Sequence, residues 1–176
     1  MIKKAAEFAA KAHEGAVRKG SSIPYIVHPY EAAVIVAGLT ADPEVIAAAL
    51  LHDVIEDAGV TYECIREEFG ERVANLVKGE SEDKSRSWQE RKQATIDHMA
   101  HASREEKIIC LGDKLSNLRS MTTDWLAAGD AVWLKFRERD KQQQAWYYRG
   151  ILEQLSEFQG EPAYAEYIRL FRIVFE

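Results

Sequence analysis

Leu50-Leu51-His52-Asp53-Val54-Ile55-Glu56-Asp57-Ala58-Gly59 carries four ionisable residues at the end of an otherwise apolar run. His52, Asp53, Glu56 and Asp57 stand at i, i+1, i+4 and i+5. On a helix, at about 100° per residue, they share an arc of roughly 140° and form one compact polar patch. A segment of Ala, Leu, Val and Ile has no structural need for such groups, and burying them is costly unless they are paired or bind a metal. A neutral imidazole beside a carboxylate is a mixed nitrogen and oxygen donor set that suits a divalent transition metal. Two ligands do not fill a coordination sphere, so further donors must come from elsewhere in the chain.

Two candidates stand out. His28 immediately precedes Pro29 at a loop-to-helix junction, where a lone histidine more often merely caps. Asp113 lies in Ile109-Cys110-Leu111-Gly112-Asp113-Lys114-Leu115-Ser116-Asn117-Leu118-Arg119. Mid-helix aspartate is poor without a partner, and an ion pair with Lys114 or Arg119 is the plainer explanation. With His52 and Asp53 these residues supply two imidazoles and two carboxylates, leaving positions for water and substrate. Such a set suits metal-assisted hydrolysis, in which the ion lowers the pKa of its bound water from near 16 to about 7.

The elements that must position these residues read as helices throughout, with no alternating strand and no G-x-G-x-x-G or Walker loop. A first helix is expected over 2–19, with Ile2, Ala5, Ala6, Ala9, Ala12, His13 and Ala16 on one face. Residues 18–25 break it, and His28-Pro29 opens a second helix to about Leu39. Asp42 and Pro43 supply an N-cap and a first-turn proline for a helix over about 43–57, which Gly59 stops. Val45, Ile46, Ala49, Leu50 and Val54 form its buried face. Thr61 caps a helix to Phe69, and Glu71 starts another to Lys78. Residues 79–87 are loop-like, and as a mobile flap they would bring Lys84 or Arg86 to a phosphate. Helices then follow over about 88–101, from the capping box at Ser103 to about 121, over 130–158, and from Pro162 to the end. Trp125, Trp133, Trp146, Tyr147 and Tyr148 are expected mostly in packing, though Trp146 or Tyr147 would be placed to close over a base.

At 176 residues the chain is expected to be one domain, and its formal net charge of -6 argues against a general nucleic-acid binder. No secretory signal pattern and no apolar run of ~20 residues occurs, so neither export nor a membrane span is expected. Cys64 and Cys110 are isolated and read as core thiols in a reducing compartment. A soluble cytoplasmic protein is the expectation.

The combined motifs resemble the HD-domain metal-dependent phosphohydrolases. The resemblance narrows to the hydrolase domain of RelA/SpoT-type alarmone enzymes and their small stand-alone relatives. It rests on His13, Arg18-Lys19, Pro24-Tyr25-Ile26-Val27-His28-Pro29, Leu51-His52-Asp53-Val54-Ile55-Glu56-Asp57 and Asp113-Lys114-Leu115-Ser116-Asn117-Leu118-Arg119, and it spans most of residues 5–150. It implies an all-α fold, a single HD-type helical bundle over residues 1–176. It also implies a Mn²⁺-dependent activity, with another divalent transition metal as the alternative, that removes pyrophosphate from the 3′ position of guanosine tetra- or pentaphosphate. The implied metal ligands are His28, His52, Asp53 and Asp113, and the implied catalytic acidic pair is Glu56 and Asp57. Arg18, Lys19, Asn117 and Ser120 fall where that family contacts its nucleotide.

Three residues depart from the family pattern: Gly112 in place of the usual Ala, Lys114 of Arg and Ser116 of His. The loop from Arg18 to His28 is also one residue longer. These departures bear on substrate identity. Two alternatives therefore stand beside the leading reading: a phosphohydrolase for another nucleotide or phosphorylated metabolite, and a module that binds a nucleotide without turnover. Within these 176 residues no synthetase domain is expected beside the helical one.

Overall fold

Residues 45–51 are buried without exception, so beyond its first turn the helix that carries them has no solvent side and is apolar all round. The computed structural model describes residues 1–80 and 82–176. These fall into two compact units, Met1–Glu82 with Ser103–Asp113, and Asp83–Ala102 with Lys114–Glu176. Of the expected loop over 79–87, Ser81 lies outside the described residues.

The first unit holds α1 (Ile2–Ala12), α2 (Val27–Ala37), α3 (Pro43–Leu51), α4 (Val54–Ala58), α5 (Tyr62–Phe69) and α6 (Glu71–Gly79). Around the central α3 pack α1, α2 and α6, and α5 packs on α6. Asp42 caps α3 by accepting from the Glu44 amide at 2.9 Å, with Pro43 in the first turn. Gly59 ends α4 in the left-handed region at φ 68°, as the sequence predicts. On the surface, Arg72 is held by Asp42, Glu44 and Glu105 at 2.8, 2.5 and 3.3 Å.

In two places here the chain departs from the expected helices. The first helix ends at Ala12 rather than 19. Gly15 takes φ 76°, and residues 16–25 form a small hairpin closed by the Val17–Pro24 bridge. The Arg18 amide donates to Ile23 O at 2.9 Å and the Tyr25 amide to Ala16 O at 2.8 Å. Arg18 and Lys19 therefore sit on a hairpin, not on a helix C-terminus. The helix over 43–57 is also broken, since α3 stops at Leu51 and α4 starts only at Val54.

The helix α8 (Arg104–Ala128) opens in the first unit and continues into the second. The capping box is formed: Glu106 Oε2 accepts from the Ser103 amide at 2.8 Å, and the Glu106 amide donates to Ser103 Oγ at 3.3 Å.

The second unit adds α7 (Trp88–His101), α9 (Lys141–Gln154) and α10 (Pro162–Phe175), with α9 packed against both others. The helix expected over 130–158 is in fact three pieces. Gly129, at φ 57°, starts a 3₁₀ segment to Lys135. Asp140 then caps α9 by accepting from the Gln142 amide at 2.7 Å, and a second 3₁₀ turn covers Ser156–Phe158. Trp133, Tyr147 and Tyr148 are buried, as packing requires. Trp146 is half-buried beside Trp88, ring centroids 6.3 Å apart, and lines a cavity of about 590 Å³ with Gln93, Lys141 and Arg149. Cys110 is buried, whereas Cys64 is only half-buried. Among the described residues there is no β-strand, so the fold is all-α. None of their helices is long and apolar enough to cross a membrane.

One ion pair in this unit carries a pH dependence. Arg119 grips Glu166 with two parallel bonds, Nε to Oε1 at 3.0 Å and Nη2 to Oε2 at 2.6 Å. The Arg119 guanidinium holds the Glu166 carboxyl below its ordinary pKa. A depressed folded-state pKa contributes stability above the unfolded value, and that contribution is lost as pH falls through the folded one. The pair is partly exposed, so Glu166→Gln is expected to cost roughly 1 kcal/mol at pH 7. Thermal melts at pH 7 and pH 3 should show the gap between the two proteins closing at the lower pH. A gap that stays constant would contradict this role.

Candidate metal centre

The break between α3 and α4 sets the geometry of the site. His52 closes α3 with helical angles, φ −55° and ψ −34°, and Asp53 then drifts to φ −94° and ψ −6°. His52 is 2 % exposed, and its Nδ1–H donates back to Ala49 O at 2.7 Å. That hydrogen bond places a proton on Nδ1 and turns Nε2 inward, toward the carboxylates. His28, in the first turn of α2 and 3 % exposed, brings its own Nε2 to 3.2 Å from that of His52.

Two carboxylates complete the cluster. Asp113 Oδ1 lies 3.2 Å from His28 Nε2 and 3.7 Å from His52 Nε2. Asp53 Oδ2 lies 3.1 Å from His52 Nε2 and 3.5 Å from His28 Nε2. Donor atoms of His28, His52 and Asp113 all fall within 4.8 Å of one another. Arg119, one ion-pair partner the sequence offered for Asp113, is bound by Glu166. Lys114, the other, places its Nζ 5.7 Å from the centre of the Tyr147 ring.

Gly112 explains how Asp113 comes so near His28. A Cβ at position 112 would stand 2.8 Å from Ala32 O and 2.7 Å from Val36 Cγ2. Only glycine lets α8 lie this close to α2. The departure from alanine therefore has a packing cause. Gly112→Ala is expected to overpack the contact at a cost of about 1–3 kcal/mol, which better helix propensity offsets by at most ~1. For a chain this long the melting temperature should drop by up to roughly 12 °C, and metal affinity should weaken as Asp113 is displaced. If both stayed unchanged, the close approach would not matter.

The electrostatics call for a cation. Burial acts to lower the His52 pKa, but the Asp53 and Asp113 carboxylates outweigh it and hold the imidazole well above its ordinary value. Burial likewise acts to raise Asp53, and the two imidazoles outweigh it and hold the carboxyl far below the usual range. Ligand atoms about 2.1 Å from a shared ion lie about 3.0 Å apart along an octahedral edge and about 3.4 Å along a tetrahedral one. The observed separations of 3.1, 3.2, 3.5 and 3.7 Å are of that size. A divalent transition cation fits this donor set.

The acidic pair lies one turn further on. Glu56 is half-buried and Asp57 exposed on α4, and the Asp57 amide donates to Asp53 O at 2.8 Å. Arg18 Cζ lies 5.6 Å from the centre of the Tyr25 ring, and Lys19 beside it is exposed. Asn117 and Ser120 are half-buried on the continuation of α8, within the second unit.

Tyr25 belongs to a motif that carries the resemblance, but the sequence assigns it no role. Its hydroxyl donates to Asp53 Oδ2 at 2.7 Å and lies 3.1 Å from Asp57 Oδ2. Burial and the neighbouring Asp53 push its pKa up, so it stays an O–H donor. His13 stands behind it, 5 % exposed, with ring centroids 4.8 Å apart. Burial lowers the His13 pKa and keeps that ring neutral. The available signal was the spacing of Tyr25 three residues before His28, in the turn that leads into α2, where the His28 amide donates to Tyr25 O at 3.0 Å.

An all-helical chain with paired histidines and aspartates converging in its interior defines a metal-dependent hydrolase of HD type. The HD domain family matches residues 5–140, and the chain belongs to it. It is 42% identical over 125 residues to the Xenopus tropicalis guanosine-3′,5′-bis(diphosphate) 3′-pyrophosphohydrolase MESH1, covering 69% of each chain. The Aquifex aeolicus guanosine-3′,5′-bis(diphosphate) 3′-pyrophosphohydrolase is 37% identical over 123 residues; the match takes in 68% of this chain but only 18% of that longer protein. A solved structure of a metazoan ortholog of SpoT that hydrolyzes ppGpp and plays a role in starvation responses superposes with a TM-score of 0.80 at 29% identity. It covers 97% of this chain and 93% of its own.

Proposed function

We propose that the protein hydrolyses guanosine 3′,5′-bis(diphosphate), and the corresponding pentaphosphate, at the 3′-pyrophosphate, giving GDP or GTP and pyrophosphate. The observation that carries this reading is the convergence of two imidazole Nε2 atoms and two carboxylates in one buried cluster. The relatives' activity supports the choice of substrate. His28, His52, Asp53 and Asp113 would hold the metal, which we take to be Mn²⁺. When bound, that ion supplies an acidified water and neutralises charge on the scissile group.

Glu56 and Asp57 orient and deprotonate the attacking water and manage the proton on the leaving 3′ oxygen. Arg18 and Lys19 bind phosphate oxygens, Arg18 with the bidentate geometry suited to them. Asn117 and Ser120 contact the nucleotide. The HD match from 5 to 140 takes in residues of both units and supports the reading of residues 1–176 as one working domain. The substrate is a small nucleotide of the cytoplasm, and neither nucleic acid nor membrane takes part.

A panel of nucleotides incubated with protein and Mn²⁺, with products resolved by ion exchange, tests the assignment. Guanosine tetraphosphate should be consumed first, and ATP with GDP should yield no tetraphosphate, since this sequence has no Gly-rich phosphate loop to hold a donor triphosphate. Preference for a 5′-monophosphate would favour a broader nucleotidase, and binding without turnover a sensing module.

A further inference from the structure

We infer that Tyr25 is a positioning residue of the active site, its hydroxyl holding the metal-ligand carboxylate of Asp53 and the catalytic carboxylate of Asp57 in fixed relation. The inference rests on the metal-centre reading above. One hydroxyl oxygen lies within hydrogen-bond reach of both groups, 2.7 Å from Asp53 Oδ2 and 3.1 Å from Asp57 Oδ2. Asp53 Oδ2 is also the atom that faces the imidazoles of His28 and His52. The O–H therefore sets the direction of the oxygen that must serve as ligand, as outer-shell donors do at metal sites.

The backbone of Tyr25 is tied down at both ends. Its amide donates to Ala16 O at 2.8 Å and closes the hairpin, and its carbonyl accepts from the His28 amide at 3.0 Å as α2 begins. The ring is packed as well: His13 lies at 4.8 Å and tilted by 36°, the His28 ring meets it edge-on at 6.0 Å, and Arg18 Cζ lies at 5.6 Å. Tyr25 thus touches one metal ligand through its hydroxyl, another through its ring, one member of the acidic pair, and a phosphate-binding arginine. A side chain kept only for packing has no need of an oxygen at that point, and phenylalanine would fill the same volume.

Tyr25→Phe removes that oxygen and keeps the ring. The full-length chain is stripped with EDTA, dialysed and titrated with Mn²⁺, free Mn²⁺ being read by electron paramagnetic resonance. The expected result is an affinity weakened by about 10- to 100-fold, in line with the loss of an outer-shell partner. The metal-free melting temperature should stay near that of the parent, and kcat should fall about tenfold with KM little changed. Tyr25→Leu, which also removes the packing against His13, should lower the metal-free melting temperature too. A Mn²⁺ affinity of Tyr25→Phe less than tenfold weaker than the parent's would overturn the inference. So would a Tyr25→Phe protein that fails to fold, because the hydroxyl would then hold the chain together rather than orient a ligand. If the parent itself bound no Mn²⁺, the metal-centre reading would fall first, and the titration of the parent separates that case.

Discussion

His52→Ala and Asp113→Ala proteins are expected to retain no stoichiometric metal and to show no turnover. Each change deletes one of the four proposed donors, whose imidazole Nε2 atoms lie 3.1 to 3.7 Å from the carboxylate oxygens. His52 is doubly exposed to this loss, because its ring also donates to Ala49 O from a position 2 % exposed. Loss of metal should be legible without any substrate. Added at about a hundred times its Kd, a ligand that binds only the native state stabilises it by ~2.7 kcal/mol. For a chain of this length that raises the melting temperature by roughly 5–10 °C. The parent should show that rise with Mn²⁺, and neither variant should. Elemental analysis finding one metal per chain in either variant would remove that residue from the ligand set.

Glu56→Gln should separate chemistry from metal binding. The amide is nearly isosteric and still hydrogen-bonds water, but it does not accept a proton at neutral pH. Glu56 is half-buried on α4, three residues beyond Asp53. Metal content and melting temperature should therefore stay near those of the parent. The rate should drop by ~10² or more, the usual cost of losing a general acid–base group. An unchanged rate would take Glu56 out of the mechanism and leave Asp57 as the proton-handling residue. Together with the ligand variants, this result distinguishes a hydrolase from a module that binds nucleotide without turnover.

The all-α character of the fold was legible in the sequence because helical apolar period runs through nearly every segment and the caps sit where helices start. Asp42-Pro43, Thr61, Ser103 and Pro162 each mark a helix that the structure contains. What escaped were breaks that period alone does not report. The apolar spacing of α1 runs on past Ala12, yet the hairpin bonds of Arg18 and Tyr25 and the left-handed Gly15 outcompete another turn of helix. At His52 and Asp53 the residues are individually compatible with helix. The interruption is a tertiary effect, visible only once the inward ring of His52 and the contacts of Asp53 are in place. Gly129 and Asp140, the stop and the restart around the 3₁₀ segment, were local signals that the aromatic run obscured.

Of the site, the residue types that ligate metals were recognisable one by one, and their grouping came from resemblance. Their convergence from α2, the α3–α4 break and α8 is long-range and is carried by packing such as the Gly112 contact on Ala32 and Val36. Tyr25 stood in a matching motif but without a role, because a tyrosine in a hydrophobic-looking run announces nothing by itself. Its role arises from two carboxylates 28 and 32 residues away in the chain.

The most direct test of the proposed activity is a single product analysis of metal-stripped, Mn²⁺-reconstituted protein incubated with guanosine tetraphosphate. Guanine nucleotide and phosphate species are quantified in the same samples over time. The expected result is GDP and intact pyrophosphate in equal amounts, with the reaction stopped by EDTA and restored by excess Mn²⁺. Orthophosphate without pyrophosphate, or the same rate in EDTA, would contradict a metal-dependent 3′-pyrophosphohydrolase.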